Sequence, residues 1–256
     1  MAEPVFLSPH LDDAVLSCAG LITQQRLGGL SPLIVTTFAG TPDYDRLSPF
    51  ARAQHTYWGD PANPMALRRK EDQAAVRRLG ARTQHFSFLD AVYRRDDAGR
   101  PLYPSEAAIF GPLQPEDEPL IAQIAGDVVA MFPAVNLVHL YAPLAIGNHV
   151  DHQVAYAAAT ELNHLGYAVT FYEDFPYASR DEGRPTAGHT DSLQAIIEPL
   201  DAATLEAKIG AIACYASQMD ILFGDLEQMI AAVTAHGRRY AVDLFPAGER
   251  YWRQKE

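Results

Sequence analysis

Two short polar stretches carry side chains that could do chemistry. SPHLDDAVLS, residues 8–17, places His10 and the adjacent Asp12 and Asp13 directly after the apolar Val5–Leu7. GNHVDHQVAYAA, residues 147–158, places His149, Asp151 and His152 soon after the apolar NLVHLYA at 136–142. Imidazole and carboxylate are ligands of catalytic zinc, which takes three groups from the protein and leaves a fourth position for water. His10, Asp13 and His152 together would supply two imidazoles and one carboxylate. A divalent metal on them would bring the pKa of a water toward neutrality and polarise a carbonyl. Asp12, beside a ligand but pointing elsewhere, would be the general base that takes the water proton. His149 would hold the developing oxyanion or protonate the leaving group. Asp151 would hydrogen-bond a ring nitrogen of His149. That is machinery for hydrolysing an amide. The same donor set suits ferrous iron as well as Zn2+. Taken singly, each motif has a plainer reading: Asp12 or Asp13 as a helix cap, and the two histidines as ordinary helix residues.

What joins the motifs is the elements that must position them. Apolar strands at 5–8, 33–39, 83–88, 136–142 and 168–174 alternate with helices at 14–27, 64–79, 118–132 and 150–165. Apolar strands separated by helices imply a parallel sheet covered on both faces. The expected fold is therefore α/β, a Rossmann-like doubly wound, mostly parallel sheet. Such folds bind ligands at the carboxyl ends of their strands, and both polar motifs fall there. Two long irregular stretches, 40–63 and 89–117, follow the second and third strands and should wall the same edge. Their Tyr44, Tyr57, Trp58, Tyr93 and Tyr103 could stack on the faces of a ligand or simply pack the loops. The C-terminal third reads as less regular: a strand at 192–200, helices at 202–217 and 220–236, and a last strand RYAVDLF at 239–245. No linker or repeat divides residues 1–256, so a single domain is expected.

Composition narrows the class. The 256 residues are 48% hydrophobic and 20% charged, with a net charge of -12, as in a globular protein with a substantial core. An acidic surface repels phosphate backbones, so nucleic acid is not expected as a partner. The basic Arg68, Arg69, Lys70, Arg77 and Arg78 read mostly as the solvated face of one helix. The two cysteines, Cys18 and Cys214, are far apart and read as free thiols in a reducing compartment. No CxxC is present, which excludes a thiolate zinc site. No apolar run approaches the roughly 18 residues of a membrane-spanning helix, and no signal peptide is evident. A cytoplasmic location follows as the default, and homo-oligomerisation is left open. No GxGxxG follows the first strand, which argues against a dinucleotide-dependent oxidoreductase.

With these residues in view, the chain resembles the LmbE-like (PIG-L) family of zinc-dependent N-deacetylases. The resemblance rests on SPHLDDAVLS and on HVDH at 149–152. It continues through RRKEDQAAVRRLG (68–80), LDAVYRRD (89–96), YEDFPYA (172–178) and KIGAIACYASQ (208–218). It implies removal of the acetyl group from an N-acetylglucosamine conjugate, a small-molecule partner. His10, Asp13 and His152 match the zinc ligands, Asp12 the base, His149 the histidine at the reaction centre and Asp151 its partner. Arg68, in an RxxE pattern with Glu71, matches an arginine that binds substrate, and Asp90 an aspartate of the substrate pocket. Leu11 and Ala14 stand where the family's Pro-His-Pro-Asp-Asp-Glu motif has proline and glutamate, and Val150 stands at a usual proline. A tyrosine that some members place before the second motif is missing, and Asn148 is a candidate donor in its stead. A thiol-conjugate amidase, or a metal- and sugar-binding protein without activity, would share this site.

Overall fold

The alternation of Val5, Phe6 and Leu7 in strand β1 (Glu3–Ser8) sends successive side chains to opposite faces of a sheet. In the computed structural model, which describes residues 2–59, 62–179 and 190–255, both faces are covered. Val5 and Leu7 join one core with helices α5 (Glu118–Met131) and α6 (Val150–His164), through Ile124, Val128, Val154, Ala158 and Leu162. Phe6 joins the opposite core with helices α1 (Asp13–Leu27), α3 (Pro64–Leu79) and α7 (Ala202–Ile212), through Ile22, Val76 and Ile212. Each fully buried Val, Leu or Phe contributes about 1.5–3 kcal/mol relative to exposure. This is the expected doubly wound α/β fold.

The other strands are β2 (Leu33–Thr36), β3 (Arg82–His85), β4 (Val138–Pro143), β5 (Ala168–Tyr172), β6 (Leu193–Leu200) and β7 (Ala247–Gln254). They form one seven-stranded sheet in the order β3-β2-β1-β4-β5-β7-β6. The first five strands run parallel, and β7 is antiparallel to both β5 and β6. β1 lies between β2 and β4, so the chain leaves it in both directions. This switch point opens a crevice at the carboxyl ends of β1 and β4, where the two polar motifs emerge.

Four expectations need correction. The stretch 40–63 contains helix α2 (Pro49–Tyr57), with Ser48 Oγ accepting from Ala51 N and Pro49 in the first turn. Those are ordinary helix-start signals, masked by the surrounding Pro, Asp and aromatic residues. The last strand is not 239–245, where Val242 and Phe245 form only an isolated bridge, but β7 beyond it. The C-terminal third is regular, with α7, α8 (Ala216–Phe223) and α9 (Leu226–Arg238) between β6 and β7. The stretch 89–117 holds the single-turn helix α4 (Glu106–Ile109). Both long stretches share a core of their own in which Leu11, Trp58, Met65, Val92, Tyr103 and Ile109 are buried together. His189 lies outside the described residues.

Candidate active site

The turn after β1 sets the first three side chains. Ser8 Oγ accepts from Ala14 N and donates to His10 O, so serine caps the entry to α1. Asp12 occupies the N-cap position but makes no capping hydrogen bond. The plainer reading of this motif therefore fails for Asp12, whose carboxylate faces a cleft. Asp13 turns back, and its Oδ2 accepts from His10 N at 2.7 Å.

The turn between β4 and α6 sets the rest, on a constrained backbone. Ala145 and Asn148 have φ of 62 and 63, and Gly147 has φ 90, the left-handed region that costs non-glycine residues energy. The turn is pinned by Ile146 N donating to Asp174 Oδ2 and by Asn148 Nδ2 donating to Phe110 O and Gly111 O. Asn148 is thus occupied away from the cleft and does not replace the missing tyrosine. A Cβ on Gly147 would sit 2.7 Å from the Tyr177 ring. Gly147→Ala is expected to destabilise the protein by about 1–3 kcal/mol, read from urea denaturation.

The two turns bring His10, Asp13 and His152 together. His152 Nδ1 lies 2.7 Å from Asp174 Oδ1, a carboxylate that accepts a hydrogen bond from Nδ1–H, so the Nε2 lone pair of the neutral ring is left to face the site. That Nε2 is buried without a hydrogen-bond partner, 3.2 Å from Asp13 Oδ2. His10 Nε2 lies 2.9 Å from Asp151 Oδ2, which by the same logic leaves Nδ1 unprotonated, 3.1 Å from Asp13 Oδ2. With both rings neutral, as metal ligation requires, two nitrogen lone pairs and a carboxylate oxygen approach one another with no donor among them. Such a cluster calls for a cation, and its donor set is that of a divalent metal.

The electrostatics agree. Burial opposes a charge on His10, yet Asp13 and Asp151 hold its pKa well above the usual histidine value. His152 is lifted to about 9 against burial by Asp13 and Asp174. Burial also disfavours ionised Asp13, but His152 and His10 hold it well below the usual carboxylate range. All three shifts express the attraction that a bound cation would satisfy.

His149 is built differently. Its nitrogens come within 4.8 Å of donors on His10 and His152, but its Nδ1 accepts from Asp151 N. The proton then resides on Nε2, which can donate but cannot ligate. Burial, and then His10 beside it, hold its pKa well below the usual value, so it is neutral. Asp151 does hydrogen-bond a ring nitrogen of His149, but through its backbone N; its carboxylate accepts instead from His10, Ala91 N and Arg94.

Asp12 stands apart from this cluster. Burial and the neighbouring Asp13 push its pKa up to about 6, with Arg68 and His10 opposing. Arg68 Nη2 is 3.7 Å from Asp12 Oδ1, its guanidinium lies over the Trp58 ring, and its buried Nε has no hydrogen-bond partner. It is 5% exposed, so it leaves the solvated face that Lys70, Arg77 and Arg78 do form. Asp90 Oδ1 caps a tight turn by accepting from Val92 N, and Oδ2 is 3.7 Å from His10 Nε2.

All of this opens into a cleft of about 350 Å³ lined by His10, Asp12, Asp13, Arg68, Asp90 and His149. Its walls come from α2 (Gln54, Tyr57, Trp58), the 89–117 stretch (Val92, Glu106, Ile109, Phe110), Tyr177 and α8 (Gln218, Ile221, Leu222). Tyr57 and Trp58 thus face the cleft. Tyr44, Tyr93 and Tyr103 instead bond within the loops, to Asn63, His55 and Asp117. The sequence reading left three supporting residues unassigned. Asp174 follows the apolar β5, a position that signals a site in this fold. Arg94 lies in the LDAVYRRD stretch of the resemblance, which assigns it no role, and Asp117 carries no comparable signal.

With the geometry in place, the chain can be set against known proteins. Residues 5–163 match the family model described as GlcNAc-PI de-N-acetylase, PIG-L, and the chain belongs to that family. It is 30% identical over 239 residues to a 2'-N-acetylparomamine deacetylase of Niallia circulans, covering 86% of this chain and 82% of that one. Among solved structures it is similar to the zinc-inhibited form of teicoplanin deacetylase, with TM-score 0.86 and 29% identity over 98% of this chain and 97% of that one. It is also similar to the A40926 pseudoaglycone deacetylase, with TM-score 0.80 and 28% identity over 98% and 96% of the two chains.

Proposed function

We propose that this chain is a metal-dependent N-deacetylase that releases acetate from an N-acetylated amino sugar conjugate. The observation that carries the reading is the convergence of His10 Nδ1, Asp13 Oδ2 and His152 Nε2, with the last buried and unpartnered. We assign these three as the metal ligands and zinc as the metal; ferrous iron fits the same donors. When bound, the cation supplies Lewis acidity, acidifying water and polarising the acetyl carbonyl.

The chain's own groups do the rest. Asp12 takes a proton from the water as its oxygen adds to the carbonyl carbon. Neutral His149 donates its Nε2–H to the oxygen as it becomes negative. As the carbon–nitrogen bond breaks, Asp12 returns the proton to the departing nitrogen, leaving a free amine and acetic acid, which ionises to acetate on release. We assign Arg68 and Asp90 to the sugar hydroxyls, a reading supported by their place in the cleft lining, and Tyr57 lines the same cleft. Within the described residues no helix is long and apolar enough to cross a membrane. The free thiols Cys18 and Cys214 suit the cytoplasmic location we assign.

Zinc-loaded protein given a panel of N-acetylglucosamine conjugates should release amine, detected by a primary-amine reagent. Turnover on no N-acyl sugar would reject the substrate class. The pH profile is a second expectation. Asp12 acts ionised, so kcat/KM should rise with pH through an acid limb at or below about 6, the nearby cation adding to the lowering by Arg68. A profile that falls as pH rises over the same range would reject Asp12 as the base.

A further inference from the structure

Arg94 is 7% exposed and comes from the irregular stretch 89–117. Its Nη1 donates to Asp151 Oδ1 and to Leu89 O, and its Nε and Nη2 both donate to Asp117 Oδ2, at 3.0 and 2.7 Å. The guanidinium is held between the Phe38 and Tyr103 rings. Asp117 is 1% exposed and also accepts from Tyr103 OH, which accepts in turn from Gln114 N. One buried cation thus lies between two buried carboxylates, and the nearer carboxylate holds His10.

Asp151 has a narrow task. Its Oδ2 accepts from both His10 Nε2 and Ala91 N, so a small rotation of the carboxylate would release the imidazole. Nothing on α6 itself locks that rotation; Arg94, on Oδ1, does. Arg94 and Asp117 also close the segment between them, which carries the cleft-wall residues Glu106, Ile109 and Phe110. We propose that Arg94 is a positioning residue for the metal seat, fixing the His10 ring through Asp151 and tying it through Asp117 to the segment that walls the cleft. The inference rests on His10 being a metal ligand.

The test is a cycle of zinc dissociation constants, measured by competition with a chromophoric chelator, with folding followed by circular dichroism. Arg94→Met should weaken zinc binding by about 10–100-fold, the usual effect of removing a group that orients a ligand. In an Asp151→Asn background the same change should cost less than about threefold, because residues that act through one another are not additive. Equal losses in both backgrounds, or wild-type affinity in Arg94→Met, would overturn the proposal. If Arg94→Met does not fold, Arg94→Lys decides. Its single ammonium cannot span both carboxylates, so a loss of several-fold supports the proposal and wild-type affinity overturns it. Absence of zinc binding by the wild type would reject the metal reading itself, an outcome distinct from loss confined to the Arg94 variants.

Discussion

Asp12→Asn is expected to keep its metal and lose between about a hundredfold and ten-thousandfold of kcat, the range that a positioned general base contributes. The substitution preserves shape, and Asp12 makes no capping hydrogen bond that its loss would break, so the fold should persist. Its carboxylate is not among the three converging donors, so zinc should stay. KM should change far less than kcat, since the proton is moved in the transition state and not on binding. Arg68 loses a charged neighbour at 3.7 Å, which leaves a small effect on KM as the expected residue. Elemental analysis and steady-state kinetics on the same preparation measure both halves. A variant with zinc and near-wild-type kcat would remove Asp12 from the chemistry; a variant without zinc would make Asp12 a ligand.

The legibility of this site in the sequence has a structural cause. β1 and β4 are short apolar runs that only a doubly covered parallel sheet accommodates, and parallel strands deliver their following turns to one edge. His10 and His152 could therefore be joined without knowing any distance. The parts that could not be read support other side chains and do not themselves line the cleft. Asp174 holds His152 from the turn after β5, and Arg94 reaches Asp151 from a loop whose spacing follows no element. The direction of the Asp151 carboxylate was equally hidden, because its position in the first turn of α6 is compatible with either neighbouring histidine. β7 escaped for another reason. AGERYWRQ reads as polar, but Glu249 is buried, accepting from Gly20 N, Leu21 N and Lys208, while Arg250 pairs with Glu173. Charges that are satisfied inside a fold look, in a sequence, like charges on its surface.

His152→Ala tests the union of the two motifs most directly. The side chain is fully buried, with Nδ1 on Asp174 and Nε2 turned to Asp13. On the proposed reading, its removal takes one of three ligands and leaves Asp13 and His10 facing each other across a gap. Metal affinity should fall by more than about a hundredfold, beyond what loss of an orienting partner alone costs, and turnover should fall with it. The informative partner is His149→Ala. His149 lies as close to His10 as a ligand would, but Asp151 N occupies its Nδ1 and the remaining nitrogen carries a proton. His149→Ala should therefore retain about one metal per chain and lose about a hundredfold or more of kcat, the cost of removing an oxyanion donor. Zinc lost from His152→Ala and kept by His149→Ala would assign the first histidine to the metal and the second to the transition state. Zinc lost from both would make His149 a ligand and leave the oxyanion to another donor. Zinc kept by both would place the metal away from the second motif and leave the two motifs unjoined.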